Sequence, residues 1–78
     1  MTHTANATCR AIIARLPTKE MIGPTDIALA FGLASGRTII EDIQRGKLAA
    51  AQVGRRYIIS RAEAERYIRA TAYAADQA

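Results

Sequence analysis

The sequence predicts a small, mainly α-helical domain that contains one β-hairpin. Apolar residues recur at helical spacing in four separate segments. A glycine between two runs of strand-forming residues indicates a tight hairpin turn at Gly54. Glycine, proline or serine stands at most of the boundaries between these segments. A chain of 78 residues supports one modest hydrophobic core, so we expect one compact domain without a deep catalytic cleft.

The first predicted helix covers Thr8 to Leu16 and is amphipathic. Pro17 ends it, because proline cannot continue the backbone hydrogen bonds. Cys9 is predicted to be a small buried hydrophobic residue rather than a reactive thiol. Residues 1–17 are therefore interpreted as an N-terminal arm that contains a short amphipathic helix.

A second helix is predicted from Pro24 to Phe31, after a connector at Thr18–Ile22. Gly23 is an acceptable N-cap, and proline suits the first helical position because its backbone angle is already helical. Gly32 is predicted to end this helix.

The third predicted helix begins after Ser35, a natural N-cap, and runs to about Arg45, before Gly46. Ile39 and Ile43 lie four residues apart and are predicted to face the core. Together with the preceding helix, it forms a helix-turn-helix. In that motif the N-terminal residues of the second helix contact base edges in the DNA major groove.

The predicted hairpin turns at Gly54 and has two arginines at its tip. Arg55 and Arg56 are expected to project into solvent, where paired guanidinium groups suit a polyanion. A purely structural alternative remains open for Arg56, which has Glu41 and Glu63 as candidate ion-pair partners. Tyr57, which follows Arg56, is predicted to belong to the core.

Positive charge is concentrated around this hairpin. The formal net charge is +4, and residues 44–61 contain five basic side chains and no acidic one. Such a cluster is typical of a phosphate-binding surface. A solvated basic face without a partner is the alternative.

The last helix is predicted to begin at the capping box Ser60-Arg61-Ala62-Glu63. Its inner face is marked by Ala64, Tyr67 and Ile68. Residues 18–70 are thus expected to form the main domain, and residues 71–78 a flexible C-terminal tail.

The residue types argue against several classes of function. The sequence contains no recognisable acid, base and nucleophile set and no glycine-rich phosphate loop, so we expect no enzymatic activity and no cofactor. One histidine and one cysteine are too few for a structural zinc site. The single cysteine and the lack of a long apolar run or signal-peptide pattern predict a cytoplasmic protein that does not contact a membrane.

Six short stretches between Ile22 and Ile68 stand in a familiar order. They are Pro24-Thr25-Asp26-Ile27-Ala28, Phe31-Gly32-Leu33, Arg37-Thr38-Ile39, Arg45-Gly46-Lys47-Leu48, Val53-Gly54-Arg55-Arg56-Tyr57 and Ser60-Arg61-Ala62-Glu63. In this order and spacing they resemble the excisionase-type, MerR-like winged helix-turn-helix DNA-binding family. The chain differs from that pattern in a turn one residue longer between the two helices, and in Gly36, where a larger and often basic residue is common.

The resemblance implies that the third helix enters the major groove and that the hairpin, or wing, reaches the adjacent backbone or minor groove. The expected recognition-helix residues are Ser35, Gly36, Arg37, Thr38 and Glu41. The expected wing and backbone contacts are Thr25, Arg45, Lys47, Arg55 and Arg56. Arg37 suits a bidentate contact to guanine, and the wing arginines suit a narrow minor groove. For Ser35, a role as a helix cap is an equal alternative.

The resemblance further implies an excisionase, or recombination directionality factor. Such a protein binds double-stranded DNA at an attachment site, bends it and directs an integrase of the tyrosine or serine type toward excision of a mobile element. Because little sequence follows Tyr73, we expect side-by-side copies on DNA rather than a dimer built on a long coiled coil. The alternatives are a stand-alone transcriptional regulator with the same fold and a protein-interaction module that does not bind DNA.

Overall fold

The computed structural model describes the backbone of residues 3–77 and the side chains of residues 7–71. Within this range the chain forms four helices and a three-stranded antiparallel sheet. The elements are α1 (His3–Ala14), β1 (Met21–Ile22), α2 (Pro24–Phe31), α3 (Arg37–Gln44), β2 (Ala51–Val53), β3 (Arg56–Ser60) and α4 (Arg61–Gln77). In the described part of the chain, no helix has both the length and the apolar character needed to cross a membrane.

The two terminal helices are longer than the sequence predicts, and they pack against each other. Helix α1 begins at His3 rather than at Thr8. Helix α4 continues to Gln77, through the segment predicted to be a flexible tail. Residues 61–77 contain neither glycine nor proline, so nothing in that segment interrupts the helical hydrogen bonds. Cys9 is buried, as predicted.

The sheet contains a strand that the sequence reading missed. Residues 21–22, predicted as part of a connector, form β1 and pair with β3, so that Met21 lies opposite Ser60. Strands β3 and β2 form the predicted hairpin, and β3 is the central strand. Gly54 has φ +61°, while no non-glycine residue in the described chain has a positive φ. Glycine as the first of two loop residues is the pattern of a type II′ turn, whose twist matches that of the strands.

The hydrophobic core lies between the helices and the sheet. Its largest fully buried side chains are Ile27, Ile39, Leu48, Ile59 and Ile68. They come from α2, α3, the loop after α3, β3 and α4. Burial of each side chain contributes about 1.5–3 kcal/mol relative to exposure. This shared core therefore holds α3 in a defined position relative to the hairpin.

The turn between α2 and α3 is one residue longer than the sequence predicts, and its cap differs from the prediction. Helix α2 ends at Gly32, which has the left-handed φ of +84°. Helix α3 is capped by Gly36, with no side-chain cap hydrogen bond, so the prediction of Ser35 as the N-cap is wrong. A Cβ atom on Gly36 would lie 3.1 Å from the backbone nitrogen of Thr25 and 3.2 Å from the carbonyl carbon of Pro24. The start of α3 thus approaches the start of α2 closely because residue 36 has no side chain.

Candidate nucleic-acid interface

Helix α3 exposes a polar face. The side chain of Arg37 is 87% exposed and that of Glu41 is 47% exposed. With Gln44 they follow the i, i+4, i+7 spacing of one helix face. Together with Thr25, Ser35, Gly36 and Ile40, they line an open surface hollow, here called the α3 depression.

A second open hollow, the hairpin depression, lies between the hairpin and the start of α2. Its basic side chains are Lys19, Arg55 and Arg56. The remaining lining residues are Met21, Ile22, Gly23, Pro24, Thr25, Asp26, Ile40, Tyr57 and Ile58. The two depressions share Thr25 and Ile40, so they adjoin and form one continuous surface from α3 to the hairpin.

The basic side chains of the hairpin depression form no ion pair among the described residues, although Asp26 lines the same hollow. Within the described part of the chain, no carboxylate oxygen lies within 4.0 Å of a charged nitrogen of Lys19, Arg55 or Arg56. The alternative pairing of Arg56 with Glu41 or Glu63 is therefore not formed. Clustered cations without carboxylate partners create a positive local potential that attracts a polyanion.

The ion pair on α3 itself is weak. The Nε of Arg37 lies 3.9 Å from Oε2 of Glu41, and both side chains are well exposed. Surface pairs of this kind contribute about 0–1 kcal/mol. The order of the pair, with the basic residue preceding the acidic one, is also the less favourable orientation on a helix. Both side chains thus remain available to a ligand.

The predicted recognition residues do not all reach this surface. Ser35, Arg37 and Glu41 line the α3 depression as exposed or half-exposed side chains. Gly36 lines it as well, but it is buried against α2 and serves the helix–helix contact instead of presenting a side chain. Thr38 is exposed but lines neither depression.

The predicted wing and backbone residues also divide into two groups. Thr25, Arg55 and Arg56 line the hairpin depression. Arg45 and Lys47 are exposed but line neither hollow. A guanidinium nitrogen of Arg45 lies 3.9 Å from Oδ1 of Asp42 on the preceding helical turn.

The surface includes side chains that the sequence analysis does not assign to the site, among them Gln44 and Lys19. Gln44 lies seven residues after Arg37, and this spacing was a usable signal for one shared helix face. Lys19 lines the hairpin depression because β1 pairs with β3 and brings the preceding segment beside the hairpin. No local sequence pattern indicates that position.

The arginines of α4 lie in a different electrostatic setting. Arg61, one of the five basic residues of segment 44–61, pairs with Glu65, and its Nε donates to the carbonyl oxygen of Pro17 at 3.1 Å. Arg69 contacts the same Glu65 at 3.4 Å. Arg66 donates to Glu63 at 2.7 Å. We call this group of paired side chains the α4 face.

Glu63 connects the α4 face to the loop before the hairpin. Its backbone N–H donates to the Oγ of Ser60 at 3.1 Å, which confirms the predicted cap. Its carboxylate accepts hydrogen bonds from Arg66 and, at 2.9 Å, from the backbone N–H of Ala49, in place of closing the capping box. The hydrogen bond from Arg66 and that from Ala49 lower the pKa of Glu63 to about 2.

Tyr67 joins α4 to the other helices. Its hydroxyl donates to Oδ2 of Asp42 on α3, and its ring meets that of Phe31 on α2 edge to face, with centroids 6.0 Å apart. Burial, reinforced by the carboxylate of Asp42, raises the pKa of Tyr67. The hydrogen bond ties α4 to α3, and the ring contact ties α4 to α2.

The described residues contain no group of three or more His, Cys, Asp or Glu side chains placed to hold a metal ion. No protein-family model matches this chain, and no significant match was found among curated proteins or among solved structures.

Proposed function

We propose that this chain is a sequence-specific DNA-binding protein with a winged helix-turn-helix fold. The proposal rests on one observation above all. The exposed polar face of α3 and the hairpin arginines, which form no ion pair within the described chain, border adjoining depressions on a single surface. In a winged helix-turn-helix protein, one helix is expected to contact base edges and a neighbouring basic hairpin to contact the DNA backbone.

In this proposal α3 enters the major groove. Arg37, at the first position of the helix, donates two hydrogen bonds to guanine. Ser35 and Thr25 lie beside it and donate to phosphate oxygens. The hairpin arginines follow the backbone into the adjacent minor groove, where the negative potential is strongest in narrow A·T-rich segments.

The specific role proposed is that of an excisionase, which follows from the family that the sequence resembles. One module of this kind buries roughly 600–1,000 Å² on DNA, so a single copy binds with modest affinity. Side-by-side copies at an attachment site would raise the total affinity and bend the DNA, and an integrase is the expected partner. A stand-alone transcriptional regulator would use the same surface.

The DNA-binding proposal is tested by measuring affinity for duplex DNA as a function of salt concentration. About five phosphate contacts predict a slope near −4 to −5 in a plot of log affinity against log salt. Absent binding, or binding that does not change with salt, would overturn the proposal and favour a protein-interaction module.

The excisionase role needs a separate experiment. Excision catalysed by the cognate integrase is measured in vitro with and without this protein. A strong requirement for the protein supports the role. Excision that does not depend on it, while specific DNA binding persists, would favour the transcriptional regulator.

A further inference from the structure

Glu41 carries a negative charge on the surface that is proposed to bind DNA, which is itself negatively charged. Among the described residues that line the α3 depression, it alone is acidic. A carboxylate beside phosphate groups lowers the affinity for every duplex through like-charge repulsion.

The fold does not explain this carboxylate. Its ion-pair partner in the described chain is Arg37, on its own helix, at 3.9 Å and in an exposed, weak geometry. It accepts no described hydrogen bond from another element, in contrast to Asp42 on the same helix, which accepts one from Tyr67. A side chain that adds little to stability and opposes general binding is best explained by a contact to one particular base.

Resting on the proposed function, we infer that Glu41 selects cytosine in the DNA site. The major-groove edge of cytosine presents an amino donor with no acceptor on the same base, and a carboxylate accepts from it. Adenine also presents an amino group, but its N7 acceptor lies beside that group and repels a carboxylate. Guanine and thymine present acceptors to this edge.

The spacing on α3 limits where the cytosine lies. Arg37 and Glu41 are four residues apart, which corresponds to about 6 Å along a helix axis. Successive bases are about 3.4 Å apart along the DNA axis. With Arg37 on guanine, the cytosine is therefore expected within about two base-pair steps of that guanine.

The carboxylate thus gives specificity in two ways. It favours cytosine by a hydrogen bond, and it penalises other sequences because it then faces phosphates and base acceptors without a donor. Because part of this specificity comes from repulsion, removal of the Glu41 carboxylate should strengthen binding to random duplex DNA. The same removal should weaken the preference for cytosine over other bases.

The test is an in vitro selection from a randomised duplex library with the wild type, Glu41→Ala and Glu20→Ala. We expect the wild-type site to contain cytosine near a guanine, and replacement of that base to reduce affinity on the order of 5- to 150-fold. In Glu41→Ala the preference at that position falls toward 1-fold, and affinity for random duplex rises. Alanine is a strong helix former, so α3 is expected to persist, and circular dichroism checks this.

Glu20→Ala is the matched control, because Glu20 is exposed, carries the same charge and lines neither depression. It is expected to keep the cytosine preference. A wild-type site without cytosine, or the same preference in Glu41→Ala, would overturn the inference and leave DNA binding intact. A wild type that binds no duplex at all would overturn the proposed function and this inference together.

Discussion

The α4 face and the hairpin depression use basic side chains in opposite ways. Each described arginine of α4 has a carboxylate partner on the same helix, three or four residues away. Lys19, Arg55 and Arg56 have none within 4.0 Å in the described chain. A count of basic residues therefore does not locate a polyanion-binding surface. The position of acidic residues relative to the basic ones decides whether their charge is available.

The contrast between paired arginines on the α4 face and cations in the hairpin depression that are unpaired within the described chain predicts that substitutions in the two regions affect different properties. Changes on the α4 face are expected to alter the free energy of unfolding with little effect on DNA affinity. Changes in the hairpin depression are expected to alter DNA affinity with little effect on stability.

The largest effect is expected from the double charge reversal Arg55→Glu with Arg56→Glu. Because it replaces two attractive contacts to phosphate with repulsive ones, affinity for all duplexes should fall on the order of 100-fold or more. The free energy of unfolding should change by less than about 0.5 kcal/mol per site, since both side chains are exposed. Fluorescence anisotropy and urea unfolding measure the two quantities.

The control for the charge reversal is Arg69→Glu on α4, which is expected to leave DNA affinity nearly unchanged. A similar loss of affinity in this variant would show that the two surfaces are not distinct in function.

Gly36→Ala tests a residue that lies on the proposed DNA-binding surface but is expected to act on stability. The added Cβ would lie 3.1 Å from the backbone nitrogen of Thr25. Relief of this contact requires a shift of the backbone at the start of α2, which costs free energy. We expect the free energy of unfolding to fall by about 1–3 kcal/mol, measured by urea unfolding.

Gly23→Ala is the matched control, because Gly23 is also a helix N-cap but its added Cβ would have its nearest neighbour at 3.9 Å. Equal destabilisation by both substitutions would mean that loss of the glycine cap, rather than the close approach of α2 and α3, is responsible.

The pH dependence of stability tests the α4 face. The pKa of Glu63 falls from its ordinary value of 4.5 to about 2 in the folded chain. Its stabilisation is therefore complete above pH 4.5 and is lost as the pH falls toward 2. At neutral pH, Glu63→Gln should lower the free energy of unfolding by about 1 kcal/mol, the size of a partly exposed hydrogen-bonded pair.

The measurement is urea unfolding of both proteins between pH 2 and pH 6. The difference between the wild type and Glu63→Gln should shrink as the pH falls, which separates Glu63 from the other carboxylates. A difference that stays constant over this range would contradict the assignment.

The smallest effect is expected for Lys19→Gln. Loss of one phosphate contact should make the salt slope less negative by about 1 and lower affinity a few-fold. Lys47→Gln removes the same charge outside both depressions and is expected to have less effect. An equal effect of Lys47→Gln would extend the interface beyond the hairpin depression.

Much of the local structure could be predicted because its causes are local. Gly32 and Gly54 take positive φ values that glycine adopts without strain, so a helix end and a hairpin turn follow from residue type. Ser60 caps α4 through a hydrogen bond to a residue three positions away. The exposed polar face of α3 follows from helical periodicity, and with it the candidate roles of Arg37 and Glu41.

The remaining features depend on contacts between residues distant in sequence. The pairing of β1 with β3 brings Lys19 to the hairpin, and no neighbouring residue signals it. The burial of Gly36 depends on how α2 crosses α3. Which arginines remain unpaired depends on how far each guanidinium lies from every carboxylate in the folded chain. The sequence by itself thus determined the helices, the turn and the excess of positive charge, whereas the tertiary structure decided which of those charges face a ligand.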